Sequence, residues 1–260
     1  MNLLKITKKF VSIFISKLTF GKFAIVNRNK VPINPMLNSL KQSELNSILD
    51  KNLTMTSARN LLFTASVCDA VIRNNIEGDF VEVGVWRGGH LIAANVGFGE
   101  SENRKIIGID TFSGMTDPDE GEFNLNSGKS AISRTQELKS GKGWIPASVE
   151  EVRSNCIESG LNPDRFELHK VDMSNNAALV EKKLPTSVSV LRVDVDWKNP
   201  TANTLEVFYK LVVPGGIVII DDYGSWSGAK EAVDDFRKKN LITDPLFQID
   251  GGAFYWTKSK

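Results

Sequence analysis

Cysteine and histidine, which supply many common site chemistries, are scarce in this chain. It has two of each among 260 residues. Cys68 and Cys156 fall in separate helical-looking segments without metal-type spacing, so we expect reduced, buried thiols in a reducing compartment. His90 and His169 are isolated in the sequence, which leaves little material for a histidine metal cluster or a Ser/His/Asp relay.

The main body of the chain also has no excess of positive charge. Residues 1–43 hold eight Lys and Arg side chains and no acid, whereas residues 44–260 hold 24 basic and 31 acidic side chains. Nucleic-acid affinity comes mainly from phosphate neutralisation by Lys and Arg, so this acidic body is a poor nucleic-acid binder. The length and the 41% hydrophobic content predict one large domain at 44–260, preceded by a basic arm at 1–43.

The basic arm contains no long apolar run. Within residues 3–20, apolar stretches of two or three residues alternate with Lys, Ser and Thr, which excludes a membrane span of ~20 apolar residues. No small-residue cleavage site indicates a signal peptide. Two alternatives stay open: residues 1–30 lie on an anionic membrane surface, or the arm packs on the body or on a second subunit of a homo-oligomer. We expect a cytoplasmic protein, at the inner membrane face under the first alternative.

Apolar, β-branched runs alternate with helical segments along the body. The runs lie near 78–85, 105–110, 166–172, 188–194 and 215–221, and the helices lie near 55–76, 147–160, 174–183, 200–212 and 227–239. Residues 246–256 read as two short strands around an Asp-Gly-Gly turn. The pattern predicts an α/β, Rossmann-like fold: a mostly parallel seven-stranded sheet with an antiparallel C-terminal hairpin and helices on both faces.

A glycine-rich turn follows the first predicted strand. The pattern is Glu82-x-Gly84-x-x-x-Gly88-Gly89, and Asp110 ends the next strand 21 residues beyond Gly89. This spacing is typical of nucleotide binding, in which the acid accepts hydrogen bonds from ribose hydroxyls. The glycines do not form the G-x-G-x-x-G of dinucleotide sites. An acid at position 82 is unfavourable beside a pyrophosphate and suits the cationic sulfonium and ammonium of S-adenosylmethionine.

Acidic residues also stand where two later apolar runs stop. Asp194 ends one run, and Asp221 and Asp222 end another. The carboxyl ends of parallel strands meet at one edge of a sheet, so these carboxylates can converge on a hard cation such as Mg²⁺. The alternative is a solvated strand-to-loop transition with capping carboxylates.

Residues 113–145 interrupt the alternation with a polar connector. A connector of this length is typical of a functional lid or a disordered segment, and this one follows the strand that ends in Asp110. We expect a lid-like loop over the cofactor and substrate. Trp144 is either its hydrophobic latch or a single aromatic packed on the surface.

Several of these motifs, taken in order, resemble one known family. Residues 78–89, 110–115, 191–196, 214–216 and 221–224 are similar to those of the macrocin O-methyltransferase family, whose members methylate sugar hydroxyls of macrolide and aminocoumarin antibiotics. The likeness covers roughly residues 50–258. It implies a class I methyltransferase fold, S-adenosylmethionine as cofactor and a divalent cation, normally Mg²⁺.

The resemblance also implies roles for individual residues. The metal would be bound by Asp194, Asp221 and Asp222, and the general base would be Asp194. The cofactor ribose would be held by Asp110 beside Thr111, and the adenine approached by Asp172. The methionine end would be lined by Glu82, Gly84, Gly88 and Gly89.

Some residues depart from the family or keep two interpretations. Residues 197–200 read Trp-Lys-Asn-Pro where the family usually has Leu-Tyr-Glu-Ser. Asp196 is interpreted as pointing the same way as Asp194 along one strand, near the metal or the substrate. Arg87 meets either the cofactor carboxylate or a neighbouring acid. Tyr223 and Trp226 either shape the acceptor pocket or pack the last crossover helix.

The predicted function is methyl transfer to a sugar hydroxyl of a glycan, a glycolipid or a glycosylated natural product. A surface polysaccharide or lipid-linked glycan suits a membrane-seeking arm. One rival is an NAD-dependent sugar oxidoreductase, which the glycine pattern and the absence of a Tyr-x-x-x-Lys pair disfavour. The other is a non-catalytic glycan- or membrane-binding protein, against which the three intact acids argue.

Overall fold

The computed structural model describes residues 39–99, 104–140, 146–174 and 185–259. Three predictions lie wholly or mostly outside these residues: the arm up to residue 38, Trp144 and the helix near 174–183. Helix α1 (Ser39–Asp50) runs across position 43, and its Leu45 and Ile48 are buried in the domain. Among the described residues, no helix is both long and apolar enough to cross a bilayer.

Strands and helices alternate as the sequence predicts, and the structure adds helices at Ser39–Asp50 and Gly89–Phe98 that the predicted segments do not include. The strands are β1 (Asp79–Val83), β2 (Ile106–Asp110), β3 (Phe166–Lys170), β4 (Val188–Val193), β5 (Val212–Ile220), β6 (Phe247–Gln248) and β7 (Phe254–Thr257). The helices after α1 are α2 (Ala58–Arg73), α3 (Gly89–Phe98), α4 (Ala131–Ser140), α5 (Val149–Glu158), α6 (Lys198–Phe208) and α7 (Ser227–Lys239), and a 3₁₀ turn at Tyr209–Leu211 follows α6.

The strands form the predicted seven-stranded, mostly parallel sheet. Their order is β3-β2-β1-β4-β5-β7-β6. The β7 strand pairs antiparallel with both β5 and β6, as expected of a C-terminal hairpin. Since β6 is antiparallel to β7, it runs in the direction of β5, and only β7 is reversed among the described strands.

Two apolar layers cover the two faces of the sheet. Phe80 of β1 packs with residues of α1, α2 and α3, whereas its neighbours Val81 and Val83 pack with α6 and α7. This division follows from the two-residue period of a strand, which points successive side chains to opposite faces. Helices on both faces bury the central strands β1 and β4 almost completely, whereas the edge strand β3 stays partly exposed.

The segment between β2 and α5 contains more structure than its composition predicts. Helix α4 occupies Ala131–Ser140, and the isolated bridge Phe123↔Ser130 precedes it. Of the ten residues of α4, only Ala131 and Thr135 are buried. So narrow a buried stripe leaves almost no apolar periodicity in the sequence, and the helix is therefore hard to predict.

The close packing of α2 against α3 gives a first testable prediction. A Cβ added at Gly97 of α3 would lie 2.4 Å from the Ala65 carbonyl oxygen and 2.5 Å from the Cys68 Cβ, both on α2. Neither atom can rotate away, so the Gly97→Ala variant should lose about 1–3 kcal/mol of unfolding free energy in urea. The matched control is Gly251→Ala, where an added Cβ meets nothing within 4 Å. Equal unfolding free energies for the two variants would contradict this account of the packing.

Candidate active site

The register of the central strands brings the predicted acids together. In the parallel ladders, Val193 of β4 is the partner of Ile220 of β5 and of Val83 of β1. The next residues therefore meet at the carboxyl edge of the sheet, where ligands of open α/β sheets collect. There, carboxylate oxygens of Asp194, Asp221 and Asp222 lie within 4.8 Å of one another.

A cavity of about 410 Å³ opens at this edge. Its walls include most residues that the sequence analysis names: Glu82, Gly84, Gly89, Asp110, Thr111, Asp172, Asp194, Asp196, Asp221, Asp222 and Trp226. Gly88 does not line the cavity, but its φ of +89° forms the turn into α3. The structure therefore joins the predicted metal and cofactor residues in one pocket.

Gly84 allows the two halves of the site to approach each other. Its φ is +88°, and a Cβ there would lie 1.6 Å from the carbonyl oxygen of Asp194. Only glycine combines this left-handed backbone with so close a neighbour. The glycine turn after β1 is thus in direct backbone contact with the acidic residue that follows β4.

A buried arginine lies inside the acidic group. Arg192 is fully buried, and its Nη2 donates to Asp194 Oδ2 at 3.0 Å and to Asp221 Oδ1 at 2.8 Å. Its Nε lies 3.3 Å from Oε1 of Glu82, its register partner across the β1–β4 ladder. Sequence reasoning does not identify Arg192, although a lone cation in an otherwise apolar strand needs a buried partner and is therefore a signal.

Helices α2 and α3 add further polar contacts to this group. His90 of α3 contacts Arg192 Nη2 through Nε2 at 3.1 Å, and Asn60 of α2 donates to Asp221 Oδ1 at 2.5 Å. Burial and the charge of Arg192 lower the pKa of His90 well below its usual value. His90, isolated in the sequence, is therefore a neutral member of the site's surroundings in the fold.

The carboxyl groups resist ionisation because they are buried close together. Burial raises the pKa of Glu82 to about 8, although the charge of Arg192 opposes the rise. Burial and the charge of Asp221 raise the pKa of Asp194 well above its usual value. Burial and the charge of Asp196 do the same for Asp222. Negative charge at this density favours binding a cation.

The donor set fits a hard cation. In the described residues, protein donors bind one oxygen of each carboxylate: Arg192 binds Asp194 and Asp221, and the backbone N–H of Asp196 binds Asp222 Oδ2 at 3.1 Å. The second oxygen of each remains for a ligand. Three such oxygens are the donors that Mg²⁺ prefers.

Glu82 fits the cationic end of S-adenosylmethionine. Its side chain is 1% exposed and borders the cavity, and its Oε2 has no hydrogen-bond partner among the described residues. A buried carboxylate oxygen without a partner is costly unless a ligand supplies a donor or a positive charge.

The N-terminus of α3 is closed to a pyrophosphate. The N–H of Gly89 donates to the Leu53 carbonyl oxygen at 3.0 Å, and a Cβ on Gly89 would lie 2.9 Å from the Thr54 Cβ. Dinucleotide sites leave this helix end open, because its N–H groups bind the pyrophosphate. The contact with residues 53–54 therefore disfavours an NAD-type cofactor.

Asp110 has a structural role in the fold. Its Oδ2 accepts the N–H groups of Val85 at 2.6 Å and Trp86 at 3.1 Å, and its Oδ1 accepts that of Phe112 at 2.8 Å. Trp86 and Phe112 both have left-handed φ values, of 47° and 48°. Asp110 thus fixes the two turns that form the cofactor end of the cavity, and its contact with a ribose stays a prediction. Asp172 is exposed at the cavity edge, and its contact with adenine stays a prediction too.

Two expectations about single residues are resolved by the structure. The interpretation of Asp196 as part of a strand is wrong, because β4 ends at Val193 and Asp196 has a left-handed φ of 59°. It instead hydrogen-bonds Trp226, and burial and the charge of Asp221 raise its pKa to about 7. Arg87 pairs with a neighbouring acid, Glu151, at 3.1 Å and lies outside the cavity lining.

The first half of the predicted lid is tied to the strand ends. Trp197 Nε1 donates to the Thr116 carbonyl oxygen at 2.8 Å, and the Leu125 N–H donates to the Ser225 carbonyl oxygen at 2.9 Å. The second half, α4, borders the cavity through Arg134 and Leu138. The lid role stays a prediction, and α4 is its best-placed part. The Trp-Lys-Asn-Pro run at 197–200 helps to hold the first half of the lid in place, through Trp197.

The two tryptophans behind the acids pack against each other. The rings of Trp197 and Trp226 meet edge to face with centroids 4.9 Å apart. Trp226 lines the cavity, whereas Tyr223 is absent from its walls and bonds Asp234 on α7. Of Tyr223 and Trp226, Trp226 is therefore the one placed to contact a molecule in the cavity.

Cys68 and Cys156 are free, buried thiols in α2 and α5, as predicted. Burial raises the pKa of the Cys156 thiol to about 12. Neither cysteine lines the cavity.

Comparison with known proteins gives a consistent result. The macrocin-O-methyltransferase (TylF) family matches residues 26–258. Demethyldecarbamoylnovobiocin O-methyltransferase of Streptomyces niveus is 32% identical over 80% of this chain and 76% of its own length. A second relative is the 8-demethyl-8-(2,3-dimethoxy-alpha-L-rhamnosyl)-tetracenomycin-C 4'-O-methyltransferase of Streptomyces olivaceus. It is 31% identical over 78% of this chain and 74% of its own length.

Solved structures agree with these sequence matches. The structure of the O-methyltransferase NovP superposes with a TM-score of 0.68 at 30% identity, over 80% of this chain and 82% of that one. The calicheamicin methyltransferase CalS11, at 23% identity and a TM-score of 0.57, has the same fold, and the match covers 88% of this chain and 95% of that one.

The attachment of residues 116–127 to the start of α6 gives a second testable prediction. Glu122 is buried, and its Oε1 accepts the N–H of Lys198, the first residue of α6, at 3.2 Å and that of Asp119 at 3.3 Å. Loss of such a helix-capping carboxylate costs about 0.5–2 kcal/mol. The Glu122→Ala variant should therefore show faster hydrogen–deuterium exchange across 116–127 and lower stability in urea. The control is Glu120→Ala, a change at an exposed acid of the same segment. Equal exchange in the two variants would show that Glu122 does not hold the segment in place.

Proposed function

The chain belongs to the macrocin-O-methyltransferase family and is an O-methyltransferase of the class I fold, and from this premise we propose that it transfers the methyl group of S-adenosylmethionine to a sugar hydroxyl in a Mg²⁺-dependent reaction. The observation that carries the proposal is the convergence of Asp194, Asp221 and Asp222 beside the glycine turn. It supports a divalent cation next to a methyl donor.

The sugar acceptor is supported by the relatives. Two of them are named for rhamnosyl-tetracenomycin and novobiocin substrates, and a third is a mycinamicin III 3''-O-methyltransferase of Micromonospora griseorubida, 28% identical over 79% of this chain. We extend the sugar hydroxyl to this chain as the group that is methylated; its carrier is a glycan, a glycolipid or a glycosylated natural product, and the composition of residues 1–43 favours the first two.

Each part of the pocket has a chemical task in this reaction. Asp194, Asp221 and Asp222 would hold Mg²⁺, which when bound makes a sugar hydroxyl more acidic and orients it. The methyl donor, S-adenosylmethionine, would supply an electrophilic methyl group. Glu82 would accept the donor's cationic end through Oε2, and the turn of Gly84, Gly88 and Gly89 would hold the donor against the sheet edge.

Asp194 is the residue that we assign to proton transfer. When the hydroxyl oxygen bonds to the methyl carbon, the Asp194 carboxylate would take up the hydroxyl proton, and the sulfur would keep the electrons of its former bond to the methyl group. Arg192 keeps the other Asp194 oxygen fixed throughout.

Substitution of the acids tests the catalytic assignment. We expect Asp194→Asn and Asp222→Asn to lower methyl transfer by at least about 10²-fold, the usual contribution of a positioned base or metal ligand. The affinity for S-adenosylmethionine, measured by calorimetry, should stay within about twofold, since neither residue is assigned to the donor. Transfer is measured as S-adenosylhomocysteine formed on an extract of cell-surface glycans, with and without a chelator.

The control for this experiment is Asp235→Asn, a change at an exposed acid of α7. Near-wild-type turnover in Asp194→Asn or Asp222→Asn would refute the assignment, and turnover that a chelator leaves unchanged would refute the Mg²⁺ requirement. Calorimetric binding of NAD⁺ in place of S-adenosylmethionine would favour the oxidoreductase alternative.

We further propose that the acceptor is a lipid-linked or surface glycan met at the inner face of the cytoplasmic membrane. The support is the composition of residues 1–43, with eight basic side chains and no acid. Anionic lipids attract such a segment by about 1 kcal/mol per basic residue.

Charge reversal in the arm tests the membrane proposal. The variant Lys8→Glu/Lys9→Glu/Lys17→Glu should float with anionic vesicles at least about tenfold less than wild type, because three attractive charges become repulsive. The control Lys238→Glu/Lys239→Glu reverses two charges at the end of α7, away from the arm sequence. Equal flotation of the wild type and the arm variant would remove the membrane assignment and favour a packing role for the arm.

A further inference from the structure

Arg192 compensates charge at the centre of the site. It has no exposure to solvent, and its partners Glu82, Asp194 and Asp221 come from the ends of three adjacent strands. Two of these partners, Asp194 and Asp221, are the carboxylates to which the proposed function assigns the cation. The charge compensation that such a cluster needs is thus partly supplied by the protein itself.

The neighbourhood of Arg192 fixes the protonation of His90. A guanidinium can only donate hydrogen bonds, so Nε2 of His90 is an acceptor towards Arg192 Nη2. The proton of neutral His90 then lies on Nδ1, which donates to Thr64 Oγ1 at 2.9 Å. Thr56 Oγ1 also contacts Nε2, at 2.8 Å. His90 therefore presents an acceptor that aligns the plane of the guanidinium.

We propose that Arg192 is a positioning residue that acts as an internal counter-ion: it holds one oxygen each of Asp194 and Asp221 and thereby limits how tightly the site binds a divalent cation. His90 keeps the guanidinium in place. The inference rests on the proposed function, since it concerns the affinity of that same cation site.

The proposal follows from the charges and from the geometry. A positive charge 2.8–3.0 Å from two ligand carboxylates repels any cation that they bind. The same charge prevents these carboxylates from repelling each other when no cation is present. The cation site therefore keeps its shape before the cation arrives, and the cation binds weakly enough to exchange.

The test compares full-length wild type with Arg192→Gln and Arg192→Lys, using Mn²⁺ as the probe. Each protein is treated with a chelator, freed of it and titrated with Mn²⁺ by calorimetry in the absence of S-adenosylmethionine. We expect Arg192→Gln to bind Mn²⁺ at least about tenfold more tightly than wild type, because the competing charge is gone. At a fixed, saturating Mn²⁺ concentration, this difference corresponds to an additional rise in melting temperature of roughly 3–5 °C.

Arg192→Lys distinguishes charge from packing. It removes the guanidinium fork, as Arg192→Gln does, but it retains the positive charge. We expect its Mn²⁺ affinity to stay within about threefold of wild type, since the repulsion remains. A tenfold increase in both variants would point to packing and overturn the counter-ion role, as would an unchanged affinity in Arg192→Gln.

Substitutions at His90 give a second measurement that leaves Arg192 intact. Gln retains a side-chain acceptor near the position of Nε2, whereas Leu has none. In chelator, we expect His90→Leu to melt at least about 3 °C below His90→Gln. Addition of Mn²⁺ should then raise the melting temperature of His90→Leu by more than that of His90→Gln. Identical behaviour of the two would overturn the aligning role of His90.

The outcomes separate this inference from the proposed function. If wild type and Arg192→Gln both bind Mn²⁺ with equal affinity, the inference fails and the metal site stands. If no variant binds Mn²⁺ at millimolar concentration, the metal assignment fails and the inference fails with it.

Discussion

The site depends on placing several carboxyl groups side by side in the interior of a folded domain. Uncompensated carboxylates at this spacing would repel one another and oppose folding. The fold provides Arg192, a fully buried cation that touches Glu82, Asp194 and Asp221 at once. Arg192 therefore supplies part of the charge compensation that this group of carboxyls needs in the folded protein.

The same interaction connects the two ends of the pocket. Glu82 belongs to the first strand and borders the glycine turn, whereas Asp221 follows the fifth strand. One guanidinium between them links the end of β1 to the residue that follows β5. In the proposed reaction, the acceptor oxygen, the methyl carbon and the sulfur lie in one line, and a link of this kind helps to keep the surrounding residues in place. The left-handed residues Trp86, Phe112 and Asp196 follow β1, β2 and β4 and concentrate backbone strain after these strand ends, as is common at functional sites.

Two parts of the cavity wall are built differently. Asp110 fixes the turns that follow β1 and β2, whereas another part of the wall combines Trp226 and Asp196 with a segment held in place by Glu122. This segment meets the Trp-Lys-Asn-Pro run through the bond from Trp197 to Thr116. The N–H of Asp196, just before this run, donates to Asp222, so this part of the cavity is joined to the strand ends.

The sequence by itself determined the sheet, the hairpin, the glycine turn and the convergence of Asp194, Asp221 and Asp222. These features depend on local periodicity and on the rule that parallel strands end at one edge, and both can be read along a chain. Only the tertiary structure revealed the partners of Arg192, the neutral state of His90, the turn at Asp196 and the helix at 131–140. These depend on contacts between residues distant in sequence, such as 102 positions between His90 and Arg192, and no local pattern specifies which distant groups will share one buried, weakly screened space.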